Sequence, residues 1–310
     1  MSPEGTHEQQ GRDARFVDRM TAQRSDDGLR QEVVGSWSLK PVGKRLSLAS
    51  YLRQLSERRH FIWADSRARA FSGNRNMILG NLWLILLPIL DGLAYYVIFG
   101  LLLQLSRGME NFVAFLLIGI FMFQFTIRSL NNGATAITGA RNMIRAFSFP
   151  RASLPIAIVL REAISMVPVV ATMAVLILVL PPRTDVTWHW ILFPAIFVLQ
   201  GVFNLGIAFL AARATARIPD LRHLFGVFAR FWRYGSAVMF PFDRFVDDPQ
   251  VLGVLQLNPL FIIIDMYRSV LLYGEVPSLR EWLILSAWAV GTLVVGFLVF
   301  WRAEEQYGRE

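Results

Sequence analysis

The sequence has 310 residues, 54% of them hydrophobic, and its mean hydropathy of +0.43 is typical of a membrane protein. It contains no cysteine, which excludes disulfides and thiolate metal sites. A net charge of +8 would indicate nucleic-acid binding in a soluble protein, but here long apolar runs alternate with arginine-rich segments, and the positive-inside rule explains the charge. We therefore predict an all-α integral membrane protein that binds no nucleic acid.

The chain begins with a polar segment of mixed charge and no apolar periodicity, which predicts a disordered cytosolic tail over residues 1–42. An amphipathic segment follows over residues 43–76. Its apolar side chains recur at i, i+3, i+4 and i+7 with arginines between them, so a helix over Leu48–Ile62 is predicted to lie along an anionic membrane surface. After Phe61, a basic flank that only sets topology fits the sequence as well. The predicted interface residues are Leu48, Tyr51, Leu52, Leu55, Arg58 and Arg59.

Six apolar runs are predicted to be transmembrane helices, because a helix of about 20 residues crosses a hydrocarbon core of about 30 Å. Arginines concentrate in the N-terminal arm and in the second and fourth connections, whereas the other connections carry few, and the charged tail at residues 303–310 follows Arg302 and contains Arg309. The positive-inside rule then places both termini in the cytosol of a plasma-membrane protein whose transmembrane domain covers residues 77–302. The predicted spans lie within residues 77–105, 112–129, 154–180, 191–212, 224–242 and 281–301.

The segment at residues 258–274 decides the number of spans. The helix predicted between Leu260 and Tyr273 has 14 residues and a length of about 21 Å, which is short for a span. We therefore predict re-entrant helices before the last span. Counting this segment as a seventh span would place the charged C-terminal tail outside the cell.

The stretch Asn131–Pro155 is a polar, basic interruption between two apolar runs. Arg141 and Arg145 share one face of a predicted helix there. Thr138 is predicted to cap this helix, and the Phe149-Pro150 dipeptide to end it. The pattern favours a short cytosolic helix presented to a partner protein, but an ordinary basic loop fits the stretch equally well when it is considered alone.

Several catalytic motifs are absent from the sequence. There is no nucleotide-binding G-x-x-x-x-G-K-[ST] motif, no Gly-x-Ser-x-Gly and no His-Glu-x-x-His, and the four histidines show no ligand spacing. We therefore expect no catalytic site, metal or cofactor in this chain.

The order of these segments resembles the permease subunit of ABC-2 type exporters, in particular the branch that exports polysaccharides, O-antigens and teichoic acids. The resemblance covers roughly residues 45–308. It is carried by RNMIRAFSFPRASLP at Arg141–Pro155, by the stretch Ile218–Pro241, and by LNPLFIIIDMYRSVLLYG at Leu257–Gly274. The polar N-terminal extension and the arginine bias are similar to those of actinobacterial members that export a lipid-linked galactan.

The resemblance implies an ATP-driven exporter that moves a lipid-linked polysaccharide (an O-antigen, galactan or teichoic-acid-like polymer) across the plasma membrane. It implies a homodimer of this chain with two copies of a separate ATPase subunit, which would bind ATP and Mg. A coupling helix that docks on the ATPase is implied for Arg141, Asn142, Met143, Ile144, Arg145 and Phe147. An outer gate is implied for Asn258, Pro259, Asp265 and Arg268.

A channel for a polysaccharide favours aromatic side chains, because sugar C–H faces stack on aromatic rings without being fixed in position. Arg230 and Arg233 are candidates either for neutralising a pyrophosphate or for pairing with Asp91 or Glu162, since buried cations at membrane depth indicate function. The candidate path residues are Asp91, Tyr95, Phe99, Phe121, Phe125, Phe228, Arg230, Phe231, Trp232 and Arg233.

Other functions remain open from the sequence. An ABC-2 exporter of a drug or small lipid differs only in channel width, which the sequence does not set. An ion-coupled carrier would use Asp91, Arg161 and Glu162 as a relay. A membrane-embedded transferase is disfavoured, because no acid, base and metal constellation is present.

Overall fold

The computed structural model describes residues 47–72, 79–95, 97–98, 111–147, 149–180, 184–242, 253 and 255–308, and all regular secondary structure in these ranges is helical. The predicted disordered tail lies outside the described residues. Short 3-10 turns occur at Gly80–Leu82, Thr138–Ala140, Trp188–Leu192 and Gln306–Gly308, and a π-helical turn at Ser269–Tyr273. The helices are α1 (Leu48–Glu57), α2 (Arg59–Ser72), α3 (Trp83–Tyr95), α4 (Phe112–Ala134), α5 (Arg141–Ala146), α6 (Ser153–Val179), α7 (Phe193–Arg217), α8 (Leu221–Tyr234), α9 (Pro259–Arg268) and α10 (Leu279–Arg302).

Four helices in the described part of the chain are long and apolar enough to cross a membrane: α4, α6, α7 with its preceding 3-10 turn, and α10. The all-helical class and a membrane protein are therefore confirmed. The first predicted span, within residues 77–105, contains α3, a helix of 13 residues, and of the predicted span after α3 only residues 97 and 98 are described.

The prediction of one continuous helix over residues 224–242 is wrong. α8 has 14 residues and ends at Tyr234, with Gly235 as its C-cap, and its apolar side chains lie on one face. The backbone then turns through Ala237, which has a φ of 51°, a left-handed conformation that is uncommon for residues other than glycine. Arg222, Arg230 and Arg233 explain the one-sided pattern, because charged side chains at these positions exclude an apolar surface all round.

The centre of the bundle is α4, most of whose side chains are buried against α3, α6, α7, α8 and α9. A buried polar link joins three of these helices. Gln200 Nε2 donates to the carbonyl of Met122 at 2.8 Å and to Thr126 Oγ1 at 3.0 Å, and the Tyr267 hydroxyl donates to Gln200 Oε1 at 3.0 Å. Polar groups that bond to each other away from water fix the register of α4, α7 and α9.

Both ends of the bundle are defined by contacts between distant segments. At the end that carries α5, the Ser66 hydroxyl donates to the carbonyl of Ala157 at 3.0 Å, and Arg213 Nη2 donates to Gln306 Oε1 at 2.7 Å. We call this the α5 end. At the far end, Gly274 packs against Thr187, and Asn111 lies beside the last turn of α6.

Candidate functional site

The basic stretch forms the predicted short helix, α5, which has six residues. Arg141, Asn142 and Arg145 are exposed on it, Met143 is half-buried and Ile144 is buried. Phe147 follows in an extended conformation with 68% of its surface exposed, an unusual position for a large aromatic ring. The helix therefore presents basic and aromatic side chains outward while one isoleucine anchors it.

Two details of the predicted α5 are wrong. Thr138 does not cap the helix: α5 begins after Ala140 without a side-chain cap, and the Thr138 hydroxyl instead contacts the carbonyl of Thr135 at 3.4 Å. The helix also ends at Ala146, before the Phe149-Pro150 dipeptide, because residue 147 is already extended.

The predicted interface helix forms in two parts. α1 is capped by Ser47, whose hydroxyl accepts from the Ser50 N–H at 3.4 Å, and it ends at Arg58. α2 then continues beside α6, so a single helix over Leu48–Ile62 is wrong. Tyr51 is buried, Leu55 is half-buried, and Leu48, Leu52 and Arg59 are exposed.

Tyr51 joins α1 to two other segments at what we call the Glu304 junction. Its hydroxyl donates to Glu304 Oε2 at 2.9 Å and accepts from the backbone N–H of Ala152 at 3.0 Å. Glu304 Oε1 accepts from the backbone N–H of Arg151 at 3.0 Å, and the Arg151 guanidinium donates to the Glu304 carbonyl. Ile144 of α5 belongs to the same apolar cluster as Tyr51. The junction thus connects α1, the residues after α5, and the end of α10.

Burial sets the ionisation of this junction. It raises the pKa of the Glu304 carboxyl, and the bonds from Arg151 and Tyr51 oppose that rise only in part. Burial also raises the pKa of Tyr51, and the neighbouring carboxylate adds to the effect. Tyr51 therefore stays protonated as a hydrogen-bond donor to Glu304.

A cavity of about 170 Å³ lies between α3, α4, α6 and α8. Two of the predicted path residues with charges, Asp91 and Arg233, line it, together with Phe121. Gln124 and Arg128 also line the cavity, although they are not among the predicted path residues. Their spacing could have found them, since residues 121, 124 and 128 lie on one face of a helix at i, i+3 and i+7.

The other predicted path residues lie in different places. Arg230 is exposed on α8, as are Phe228 and Phe231, and Phe125 is fully buried and stacks on Phe197 with ring centroids 5.0 Å apart. Trp232 is half-buried. Phe99 and the side chain of Tyr95 lie outside the described residues.

Arg161 and Glu162 form a closed group. Arg161 Nη2 lies 2.9 Å from Glu162 Oε1, and Asn132 Nδ2 donates to the same oxygen at 2.9 Å. Glu162 is buried, so these partners supply the bonds that its carboxylate needs. This group is separate from Asp91, which lines the cavity.

The four predicted gate residues belong to α9. Asn258 caps the helix by accepting from the Leu260 N–H at 3.1 Å, and Pro259 occupies its first turn. Asp265 lines a second cavity of about 210 Å³ beside the start of α10. Arg268 is 2% exposed, and its guanidinium lies 3.3 Å from the centroid of the Phe115 ring.

Asn258 and Arg268 also hold the turn that follows α8. Asn258 Nδ2 donates to the carbonyl of Gly235 at 2.6 Å, and Asn258 Oδ1 accepts from Trp232 Nε1 at 2.9 Å. Arg268 donates to the carbonyls of Ala237 and Val238 at 2.9 and 3.0 Å, and to that of Phe115 at 3.2 Å. The left-handed Ala237 is therefore fixed by α9.

No group of His, Asp or Glu side chains suited to a metal ion occurs in the described part of the chain. The site consists instead of an exposed basic helix at one end, a charged cavity within the bundle, and a buried arginine that ties α9 to α4 and to the turn after α8.

Comparison with known proteins gives relatives of one kind. The chain is 25% identical over 233 residues to the O-antigen export system permease protein RfbA of Myxococcus xanthus, which covers 75% of this chain and 88% of that protein. It is 23% identical over 200 residues to the protein of the same name from Klebsiella pneumoniae, covering 64% of this chain and 75% of that protein. No family model matches the chain. These relatives confirm the resemblance to permeases of polysaccharide export that the motifs predict.

Proposed function

We propose that this homologue of O-antigen export permeases is the membrane-spanning subunit of an ABC exporter, and that it moves a lipid-linked polysaccharide from the cytosol across the plasma membrane. The observation that carries the proposal is the similarity to two such permeases over 64% to 75% of the chain. Four helices of spanning length in the described residues agree with that role.

Contacts at the two ends of the bundle support six passes of the chain. α2 is hydrogen-bonded to the start of α6 at the α5 end, whereas Asn111 lies at the far end, and this supports one crossing that includes α3. Arg213 is at the α5 end and Gly274 at the far end, so a further crossing lies between them and includes α8. With the four long helices, these two proposed crossings make six passes, and the positive-inside rule then favours a cytosolic location for α1 and for the end of α10.

The α5 end is suited to docking a separate ATPase. Arg141, Asn142, Arg145 and Phe147 are exposed there, and Ile144 and the Glu304 junction attach α5 to the rest of the bundle. A displacement of α5 by the ATPase would therefore also move α1 and α10, because the hydrogen bonds of the Glu304 junction connect these segments. Two ATPase copies would bind ATP and Mg, and this chain would bind neither.

A second copy of the chain would complete the translocation path. Phe228 and Phe231 on α8 are 52% and 71% exposed, so their rings are free to face a path shared between two copies. Aromatic faces permit a sugar polymer to slide, as weak stacking does not fix its position. α9, held at Asn258 and Arg268, would close the outer side as a re-entrant gate.

The experiment that tests the proposal is co-purification followed by export. The tagged chain is extracted in detergent from its own membranes, and the proteins that accompany it are identified by mass spectrometry. We expect an ATPase with a G-x-x-x-x-G-K-[ST] motif in stoichiometric amount. The complex is then placed in vesicles with a fluorescent lipid-linked oligosaccharide, whose ATP-dependent exposure on the far leaflet is followed by a membrane-impermeant lectin.

A matched control replaces the nucleotide-binding lysine of the ATPase, which stops hydrolysis and leaves assembly intact. Transport that continues in this control, or recovery of the chain alone in a form that transports on an ion gradient, would contradict the exporter assignment.

A further inference from the structure

The cavity between α3, α4, α6 and α8 contains an excess of positive charge that the described protein does not neutralise. It is lined by two guanidiniums, Arg128 and Arg233, and by one carboxylate, Asp91. Neither Arg128 nor Asp91 forms a hydrogen bond or ion pair with any residue that the structure describes, and Arg233 has only the face of the Phe123 ring, 5.3 Å from its guanidinium carbon. Burying an ionised side chain at membrane depth costs free energy unless it pairs with another polar or charged group.

The Arg161–Glu162 pair shows how the same chain treats charges with a structural role. Glu162 is buried with two partners, Arg161 and Asn132, both at 2.9 Å. The arginines of the cavity are half-buried and face open volume instead. The Arg161–Glu162 pair therefore has a structural role, whereas the arginines of the cavity have room to bind a ligand.

The cavity lies in the half of the bundle nearer the α5 end. Arg128 is about 9 Å from the last residue of α4, and Arg233 about 18 Å from the first residue of α8, at 1.5 Å per residue. Asp91 lies about 12 Å from the first residue of α3. With α5 in the cytosol, a headgroup in the inner leaflet would meet this site first.

The side chains define the chemical class of the ligand. Guanidiniums bind phosphate oxygens through paired N–H groups, and two of them favour a ligand with more than one anionic oxygen. Asp91 and Gln124 add groups that bond to hydroxyls such as those of a sugar. The volume of about 170 Å³ holds several water molecules or one group of diphosphate size.

We propose that Arg128 and Arg233 bind the phosphate oxygens of a lipid-linked saccharide on the cytosolic side of the membrane, and that Asp91 and Gln124 contact the hydroxyls of the sugar next to them. The identification of the ligand as a lipid-linked saccharide rests on the proposed function. The site selects Arg233 of the two candidate arginines on α8 and leaves out Arg230, which is exposed and does not line the cavity.

The test measures binding to the full-length purified chain in detergent, without ATP and without transport. The probe is farnesyl diphosphate, with farnesol and inorganic pyrophosphate as the lipid and phosphate parts alone. We expect Arg128→Gln and Arg233→Gln each to weaken farnesyl diphosphate binding by about 10- to 100-fold, the usual loss for a charge-assisted hydrogen bond. Arg230→Gln, on the same helix, should bind as the wild type does.

We expect the Asp91→Asn substitution to strengthen anion binding, whereas the arginine substitutions weaken it. Removing the carboxylate lowers the repulsion of an anion, so inorganic pyrophosphate should bind several-fold more tightly, whereas a purely structural role for Asp91 predicts weaker binding or none. Thermal unfolding of each variant confirms that it is folded.

Equal losses in Arg230→Gln and Arg233→Gln would overturn the site, as would wild-type affinity in the Arg128→Gln, Arg233→Gln double variant. Equal affinity for inorganic pyrophosphate and farnesyl diphosphate would overturn the assignment to a lipid headgroup. If export with the partner ATPase succeeds while these binding results are negative, only the site is wrong. If the binding results are positive and no ATPase is recovered, the exporter assignment fails and the anion site stands.

Discussion

A single arginine explains why the segment after α8 is not a continuous span. The Arg268 guanidinium is fully enclosed, and its bonds go to the backbone carbonyls of Phe115, Ala237 and Val238. The carbonyls of Ala237 and Val238 are free to accept because α8 has ended at Tyr234, whereas that of Phe115 lies in the first turn of α4. Gly119 provides the space, since a Cβ there would lie 2.7 Å from Arg268 Nη2. The charge is stabilised by carbonyl dipoles and by the Phe115 ring rather than by water.

The sequence marks Arg268 and Asn258 as functional but does not reveal their partners. Both bind the segment at residues 232–238, which precedes them by at least twenty residues, and a pattern of local spacing carries no information on such contacts. Local spacing likewise does not reveal the surroundings of Arg128. Its position near the end of an apolar run suggests a side chain that reaches for the headgroups, and only the packing of α3, α6 and α8 shows that it faces a cavity.

The Glu304 junction predicts a pH dependence of stability. The pKa of Glu304 is raised in the folded chain above its ordinary value of 4.5, so between these two values the folded state holds more protons than the unfolded state. Stability is then lost as pH rises from about 4.5 through the folded pKa. We expect Glu304→Gln to remove this loss, because the amide does not ionise, and to flatten the curve of melting temperature against pH.

The measurement is thermal unfolding of the purified chain in detergent between about pH 4.5 and pH 8. Glu305→Gln, an exposed neighbour, is the control and should keep the wild-type slope. A gap between wild type and Glu304→Gln that stays constant over the whole range would refute the assignment.

Among the elements, the crossing of α7 and α10 depends on two glycines. A Cβ on Gly296 would lie 2.4 Å from the carbonyl oxygen of Gly206, and one on Gly206 would lie 2.4 Å from the backbone of Thr292. Small residues let helices approach closely where apolar lipid provides no hydrophobic drive for association. This is a feature of packing that hydropathy alone does not show.

We expect Gly296→Val to separate these helices and to destabilise the chain by about 1–3 kcal/mol or more, the usual cost of overpacking. Gly291→Val is the matched control, because it lies in the same helix and a Cβ there meets no atom within 4 Å. Melting temperature and the yield of monodisperse protein compare the two. A similar melting temperature for both variants would show that the close approach is not needed.

α5 illustrates which elements the sequence predicts well. Its existence follows from one basic stretch between two apolar runs, and the structure places a helix there, whereas its caps are wrong because the backbone of the preceding 3-10 turn takes the place of a side-chain cap. The span predicted around α8 is wrong for a different reason: its aromatic and apolar content is high enough for a span, but its arginines confine the apolar side chains to one face, and a turn with a left-handed Ala237 follows the helix.

The exposed face of α5 predicts an uncoupling phenotype. Arg141→Glu and Arg145→Glu reverse two exposed charges, so we expect insertion and folding to be retained while transport falls by about tenfold or more and basal ATP hydrolysis continues. Arg217→Glu reverses another exposed charge, at the end of α7, and should have a smaller effect. Transport and hydrolysis are measured together in vesicles. Wild-type transport in both α5 variants would exclude the coupling role.

At the scale of the whole molecule, the proposed topology rests on charge and contacts together. The arginine bias orients the chain, and the hydrogen bonds of the Glu304 junction group the ends of α1, α6 and α10 on one side. Neither observation is sufficient alone. Hydropathy identifies four helices of spanning length but does not group their ends, and the structure gives two ends without saying which faces the cytosol.

The absence of cysteine allows a direct test of this topology, because any introduced cysteine is unique. Ala68 and Ala146 are exposed at the α5 end, and Val186 and Val276 are exposed at the far end. We expect a membrane-impermeant maleimide to label Val186→Cys and Val276→Cys in intact cells, and Ala68→Cys and Ala146→Cys only after permeabilisation. Labelling of Val186→Cys without Val276→Cys would mean that the segment from α8 to α9 does not cross, and it would reduce the passes after α7 to one. Because α10 would then start on the cytosolic side, the six-pass arrangement and the shared location of residues 151 and 304 would fail together.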